Sequence, residues 1–412
     1  MSSKLLILGT VFPEPYSSAA GTRMLQLIEL FQQQCWEVTF ASAAAESEYA
    51  TDLSALGVKQ VSVKLNDSSF DDYVRELNPQ IVLFDRFMTE EQFGWRVADQ
   101  CPDALRILDT EDLHCLRHAR HQALKENRDF KNADLLNDHA KREIASIYRC
   151  DLSLIISEYE MELLKTVFKV DEGLLHYLPF MLNPILEADQ KSWLSFEERK
   201  HFVTIGNFLH APNWDAVQHL KTDIWPLIRK QLPEAEMHVY GAYCSDNHRQ
   251  LHSQKDGFLI KGRAEDAQEV ISQARVLLAP LRFGAGLKGK LVEAMQNGTP
   301  SVTTSIGAEA MHGNLAWSGE VADLPESFAN AAIRLSTDEI AWKKTQQNGV
   351  SIINQVYSKE KLGSEFIQRI KDTLTNFLDH RQRNFIGSML MHHTMRSTEF
   401  MSRWIEAKNK HQ

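Results

Sequence analysis

The chain opens on a continuous apolar run, Lys4–Leu8, closed by Gly9. The same layout recurs along its length: a short apolar run, a glycine, aspartate, serine or proline, then a longer stretch. A helical pattern over Gly21–Gln34 follows the first run. Further runs in the first half are Glu37–Ser42, Val58–Val63, Ile81–Phe84 before Asp85, Leu105–Leu108 before Asp109 and Leu152–Ile156 before Ser157. The second half repeats the layout with His201–Ile205 before Gly206, Met237–Tyr240 before Gly241, Phe258–Lys261 before Gly262, Val276–Ala279 before Pro280, and Ser301–Thr304. Continuous apolar strands read as covered on both faces, and strands alternating with helices predict parallel sheets. The pattern therefore predicts an α/β protein with two Rossmann-like units, 1–185 and 200–355, joined by a charged linker over 186–199. In such sheets ligands lie beyond the strand C-termini. Strand signals stop near Ser358. Ser358–His380 and Ser397–Lys410 read as amphipathic helices, so 356–412 is expected to be a helical tail that packs back on the first unit.

Composition narrows the function. At ~150 residues per domain, 412 residues suit two or three domains. A formal net charge of −10 argues against a general nucleic-acid binder. A local basic patch would still permit peripheral contact with a membrane. Five scattered cysteines without C-x-x-C predict neither a disulfide framework nor a zinc ribbon and fit a reducing cytoplasm. The N-terminal K-L-L-I-L-G is too short for a signal peptide, and no apolar run approaches ~18 residues. The expected location is the cytoplasm, extending to the inner face of a membrane. There is no G-x-S-x-G, no Walker G-x-x-x-x-G-K-[ST] and no G-x-G-x-x-G after the first strand.

The richest chemistry lies in Ala279–Met295, A-P-L-R-F-G-A-G-L-K-G-K-L-V-E-A-M. It reads as a strand end, a loop with Gly284, Gly286 and Gly289, and a helix. Glycines let backbone N–H groups approach a ligand, and a helix N-terminus favours an anion. Arg282, Lys288 and Lys290 suit a multiply charged anion such as a diphosphate. Glu293 follows Lys290 by about one helical turn, and its carboxylate can accept two hydrogen bonds from a vicinal diol such as a ribose.

Four segments of the second half together resemble glycosyltransferase family 4, the glycosyl transferases group 1. They are G-N-F-L-H-A-P-N-W-D-A-V (Gly206–Val217), I-W-P-L-I-R-K-Q-L-P-E-A-E-M-H-V-Y-G (Ile224–Gly241), I-K-G-R-A-E-D (Ile260–Asp266) and the stretch Ala274–Glu309. In the first half the resemblance rests on L-I-L-G, on Gly21-Thr22-Arg23 and on D-T-E-D-L-H (Asp109–His114). It implies the GT-B fold, two Rossmann-like domains facing a cleft. It also implies a retaining transfer of sugar from a nucleotide sugar to an acceptor hydroxyl in glycan or cell-envelope polysaccharide synthesis, with no metal and no cofactor beyond that co-substrate.

On this reading Lys288 and Arg282 face the leaving diphosphate, and His114 lies near the anomeric centre. The donor's other contacts are Gly206, Gly262, Arg263, Gly284, Ala285, Gly286, Leu287, Lys290 and Glu293. Gly21, Thr22, Arg23, Glu111 and Asp112 face the acceptor, which is a glycan, a lipid-linked sugar or a small molecule. The chain departs from the family's Glu, seven residues, Glu pattern: eight positions before Glu293 stands Ala285. Backbone amides of Ala285, Gly286 and Leu287 are then expected to hold the donor sugar. A nucleotide-sugar 2-epimerase of the same fold and a non-catalytic scaffold are the alternatives. Donor base, donor sugar, acceptor and oligomeric state are left open.

Overall fold

A computed structural model describes residues 3–392 and, beyond them, Ser397, Phe400 and Trp404. The helix expected over Ser397–Lys410 otherwise lies outside the described residues, as does His393 of the adjacent pair His392–His393, which has no metal-ligand spacing to other residues and is expected at the surface.

The first sheet holds β1 (Lys4–Gly9), β2 (Glu37–Ser42), β3 (Lys59–Ser62), β4 (Ile81–Asp85), β5 (Leu105–Asp109), β6 (Leu152–Ile155) and β7 (Leu175–Tyr177). Its order is β3-β2-β1-β4-β5-β6-β7, and every pairing is parallel. The second sheet holds β8 (Lys200–Ile205), β9 (Met237–Tyr240), β10 (Phe258–Gly262), β11 (Ala274–Ala279), β12 (Ser301–Thr303) and β13 (Gly319–Val321). It runs β10-β9-β8-β11-β12-β13, again all parallel. The two-sided burial that the apolar runs demanded is met residue by residue. Leu6, Leu8, Val82 and Phe84 enter one core, while Leu5, Ile7, Ile81 and Leu83 enter another across the sheet.

The chain crosses between the sheets twice, and the two crossings pair with each other. Leu182 N–H donates to Tyr357 O at 2.7 Å, and Lys359 N–H donates to Leu182 O at 2.9 Å. After the second crossing, helix Lys359–Thr375, capped by Ser358, lays Leu362, Phe366, Ile367 and Ile370 on the first domain's core. Phe366 meets Phe31 edge-on at 6.0 Å. The single helix expected over Ser358–His380 is broken at Asn376. A second helix, Phe377–Arg383, turns so that Arg381 grips buried Asp151 through Nε at 2.7 Å and Nη2 at 2.8 Å. Helix Phe385–His392 follows. No helix of the described residues is long and apolar enough to cross a membrane.

Candidate functional site

Strand order reverses between β1 and β4 in the first sheet and between β8 and β11 in the second, and a crevice opens beyond the strand ends at such points. The two crevices face each other and enclose a cavity of about 470 Å3. Loops after β1, β4 and β5 form one wall, and loops after β8, β9, β10 and β11 form the other.

On the second-domain wall, Gly284 (φ 158°) and Gly286 (φ 61°) take backbone conformations that disfavour a side chain, and they bend the loop after β11 around the cavity. Lys288 is the N-cap of helix Gly289–Gln296, which has no side-chain cap, so the Gly289 and Lys290 amides are left for a ligand. The Lys288 ammonium is buried and donates to Gly286 O at 2.7 Å. Burial pushes its pKa down to about 8, against the opposing pull of Glu309 and Glu160. Lys290 is half-buried rather than solvated. Its Nζ donates to Asn213 Oδ1 at 2.9 Å, and burial lowers its pKa to about 8 against the pull of Glu293. Burial raises the Glu293 pKa, with Lys290 opposing. Gly206 is required here: an added Cβ would lie 2.9 Å from the Lys290 ammonium and 2.7 Å from Asn213 Nδ2.

A second helix N-terminus meets this one. Helix Ala19–Gln33 is capped by Ser18, whose Oγ accepts from Gly21 N–H at 3.1 Å. Its first residue, Ala19, is packed so tightly on Gly289 that a Cβ there would sit 2.4 Å from Ala19 Cβ. Two positive helix ends and two ammonium groups thus converge on one part of the cavity.

On the first-domain wall, Arg86 (φ 68°) and Glu111 (φ 60°) both adopt left-handed backbone directly after β4 and shortly after β5. Such non-glycine residues are strained and gather at sites of function. Glu111 is 8% exposed, and burial with the Asp109 charge raises its pKa to about 8. Asp112 is tied to Arg117 at 2.6 Å, and despite burial the Arg117 charge leaves its pKa lowered. His114 begins helix His114–Lys125. The N-terminus of that helix is filled by buried carboxylates: Glu160 accepts from Leu113 N–H at 2.9 Å, and Glu143 from His114 and Cys115 N–H at 2.6 and 2.7 Å. This end therefore binds no phosphate, and its role is to aim the His114 ring into the cavity. Burial lowers the His114 pKa to about 4, which keeps the imidazole neutral. His210, opposite, is held neutral in the same way, with a pKa lowered to about 4.

The structure brings Lys288, Lys290, Glu293, Gly206, Gly284, Ala285, Leu287, Arg263, His114, Glu111 and Asp112 to one cavity. It moves others off the wall. Arg282 is exposed and paired to Asp215 through Nε at 2.9 Å and Nη2 at 2.5 Å, so its charge is committed outside the cavity. Arg23 is buried in the first domain, bound to Asp109 and to Leu178 O. Gly21 and Thr22 face the Glu14–Pro15 backbone, leaving Ser17–Ala20 at the cavity. Gly262 supplies a left-handed turn (φ 79°), and its neighbour Arg263 reaches the cavity while stacking on Tyr49 at 4.3 Å. The Gly286 amide, expected on the sugar, donates to Glu160 Oε1 at 2.9 Å. Sequence reasoning missed Arg86, Arg117, His210 and Asn213 on the wall. Each stands within a loop or the first helical turn after a strand, which was the available signal. Arg282→Ala is expected to leave turnover within about threefold of the parent. A loss of two orders of magnitude in initial rate would return Arg282 to the site.

The domains are also bonded directly across the cleft. Arg120 holds Glu309 in a two-pronged pair at 2.9 and 2.6 Å and donates to Gly284 O at 2.9 Å. Tyr243 OH donates to Glu14 at 3.0 Å. Among the described residues no three His, Cys, Asp or Glu side chains are grouped to hold a metal ion.

Residues 199–338 match the family glycosyl transferases group 1. A Klebsiella pneumoniae protein described as an uncharacterized 44.6 kDa protein in the cps region is 24% identical over 171 residues, 40% of this chain and 44% of that protein. The matched stretch thus spans less than half of that relative. Sucrose-phosphate synthase from Thermosynechococcus elongatus superposes with a TM-score of 0.65 at 16% identity, over 90% of this chain and 99% of that one. Anabaena HepE, in complex with UDP and glucose, superposes with a TM-score of 0.67 at 12% identity, over 90% of this chain and all of that one.

Proposed function

We propose that this chain, a GT-B fold whose second domain matches the glycosyl transferases group 1, is a retaining glycosyltransferase that moves a sugar from a nucleotide sugar to an acceptor hydroxyl. One observation carries the reading: buried Lys288, half-buried Lys290 and two helix N-termini converge in a cavity between the domains. Cations are expensive to bury without a counter-ion, and helix ends that meet head to head repel each other. A diphosphate placed among them relieves both costs. Glu293, one turn further along, fits the ribose, and Arg263 lies where the base would reach. Cleavage of the sugar–phosphate bond builds negative charge on the leaving phosphate, and fixed cations in a dry cavity stabilise that charge more than they stabilise the bound donor. The acceptor enters along the first-domain wall, where Asp112, neutral His114 and Arg86 offer hydrogen bonds to hydroxyls. That Anabaena HepE is in complex with UDP and with glucose supports a nucleotide and a sugar sharing such a cleft.

A thermal-shift screen of nucleoside diphosphates tests the site. Ligand at 100 times its dissociation constant adds about 2.7 kcal/mol to stability. Its pH dependence has a defined sign. Lys288, facing Glu309, Arg120, Glu160 and Asp112, and Lys290, facing Glu293, titrate at about 8 in the empty cavity. Both are charged below that pH and lose charge above it. Affinity for the bound diphosphate is therefore expected to fall by roughly tenfold or more between pH 7 and pH 9, at about 1.4 kcal/mol per tenfold change. A flat titration measured by calorimetry would contradict the assignment of these two lysines.

A further inference from the structure

The proposed reading orders the cavity along one line: ribose at Glu293, diphosphate at Lys290 and Lys288, and therefore the donor's sugar beside Ala285. At that end the second domain offers little. Ala285 has no polar side chain, and the Gly286 amide is already taken by Glu160 at 2.9 Å. A side chain that recognises the hydroxyls there must come from the opposite wall, and that wall is close. A Cβ at Gly286 would lie 2.8 Å from Asp112 Cβ and 3.4 Å from the Glu111 carbonyl oxygen.

Among the described residues three carboxylates line the cavity: Glu111, Asp112 and Glu293. Asp112 is committed to Arg117 at 2.6 Å, and Glu293 lies at the nucleoside end beside Lys290. Glu111 is different. It is more than nine-tenths buried, its Oε1 has no hydrogen-bond partner, and the nearest cation, Arg23 Nη1, is 4.0 Å away and already bonded to Asp109. Its backbone is also held at φ 60°. A buried carboxyl oxygen without a partner and a left-handed glutamate each cost stability. Where the carboxyl borders the cavity, a vicinal diol would supply hydrogen bonds that the protein does not.

We propose that Glu111, on the first domain, holds the hydroxyls of the donor's sugar and so sets which nucleotide sugar is accepted. This inference rests on the nucleotide-sugar reading of the cavity and moves Glu111 from the acceptor side to the donor side. The domain that carries neither lysine nor Glu293 then selects the sugar, so donor choice requires both domains.

The test compares Glu111→Gly and Glu111→Gln with the parent in the full-length chain. Glycine removes the carboxyl and accepts φ 60° without strain, so the variant keeps its fold. Glutamine keeps two polar atoms at the same reach. Calorimetry would first establish which of UDP, GDP, ADP and dTDP the parent binds, and then which sugar conjugate of that nucleotide it binds most tightly. Expected is an affinity for the conjugate about 10- to 100-fold weaker in Glu111→Gly, the range for hydrogen bonds to such a group. Affinity for the bare nucleoside diphosphate stays within about twofold in both variants, and Glu111→Gln stays within about threefold on both ligands. Equal weakening toward conjugate and nucleoside diphosphate, or no weakening in Glu111→Gly, overturns the assignment while leaving the nucleotide site standing. A parent that binds none of the four nucleoside diphosphates overturns the nucleotide reading, and this inference with it.

Discussion

Lys288→Ala is expected to lower turnover about 10²- to 10³-fold, the range found for removing one preorganised donor from a developing anion. The loss should fall mainly on kcat, because the charge that Lys288 meets grows as the sugar–phosphate bond breaks. A smaller rise in donor KM is expected, since Lys290 and the two helix ends still hold the ground-state diphosphate. Lys288 is 8% exposed and its ammonium is hydrogen-bonded to the Gly286 carbonyl, so its position is fixed before any ligand arrives. Its lowered pKa, about 8, shows that the empty protein keeps this charge at a cost. At about 1.4 kcal/mol per pKa unit, that cost is of order 3 kcal/mol near neutral pH. Removing the ammonium should therefore leave the ligand-free protein no less stable, and this separates a catalytic loss from unfolding. The measurement is the initial rate of nucleoside diphosphate release with donor and acceptor, beside a thermal melt of the apo-protein. Turnover within about threefold of the parent would remove Lys288 from the leaving-group site.

Both sheets were legible because their central strands are continuous apolar runs. Ile81–Phe84 and Leu105–Leu108 extend by only one residue, to Asp85 and Asp109, and Glu37–Ser42 and Met237–Tyr240 keep their limits. The two strands not foreseen are β7, L-H-Y, and β13, G-E-V, each at the edge of its sheet. An edge strand has one neighbour and a shorter run, so it needs no apolar block and leaves no period to read. The break in the tail at Asn376 has a similar origin. The amphipathic pattern continues through it, and the turn is enforced by Arg381 reaching Asp151, a partner 230 positions away.

The site was legible where spacing controls direction. The interval Lys288–Lys290–Glu293 spans a loop end and a first helical turn, and helical geometry sends all three toward the cavity. It was not legible where a partner elsewhere in the chain decides. Nothing local to Arg282 shows that Asp215 will take its guanidinium, and nothing local to Arg23 shows that Asp109 will. The same limit hid Glu160, whose apolar neighbours in S-E-Y-E-M-E-L-L read as an ordinary amphipathic helix. Its carboxylate accepts from both Leu113 and Gly286, and so sets the first-domain loop against the second-domain loop.

The displacement of Arg23 from the cavity leads to the largest stability effect expected here. Arg23 is 1% exposed and Asp109 is 0% exposed, and Nη1 lies 2.5 Å from Oδ2. Arg23 also donates to Leu178 O at 2.8 Å, which ties helix Ala19–Gln33 to the segment after β7. Replacing one member of a buried pair strands the other charge, a loss of about 3–5 kcal/mol. Arg23→Met should therefore destabilise the first domain by that amount, read from the first transition in urea unfolding. Asp109→Leu should be costly for the same reason. The double variant should recover much of the loss, because an apolar pair of similar volume leaves no stranded charge. Asp109 ends β5 two residues before Glu111, so the single variants should also weaken sugar-nucleotide binding more than nucleoside diphosphate binding. A loss below about 1 kcal/mol in Arg23→Met would mean that Asp109 is held neutral and that the pair adds little. Full additivity of the two single variants would show that the residues do not act as a pair at all.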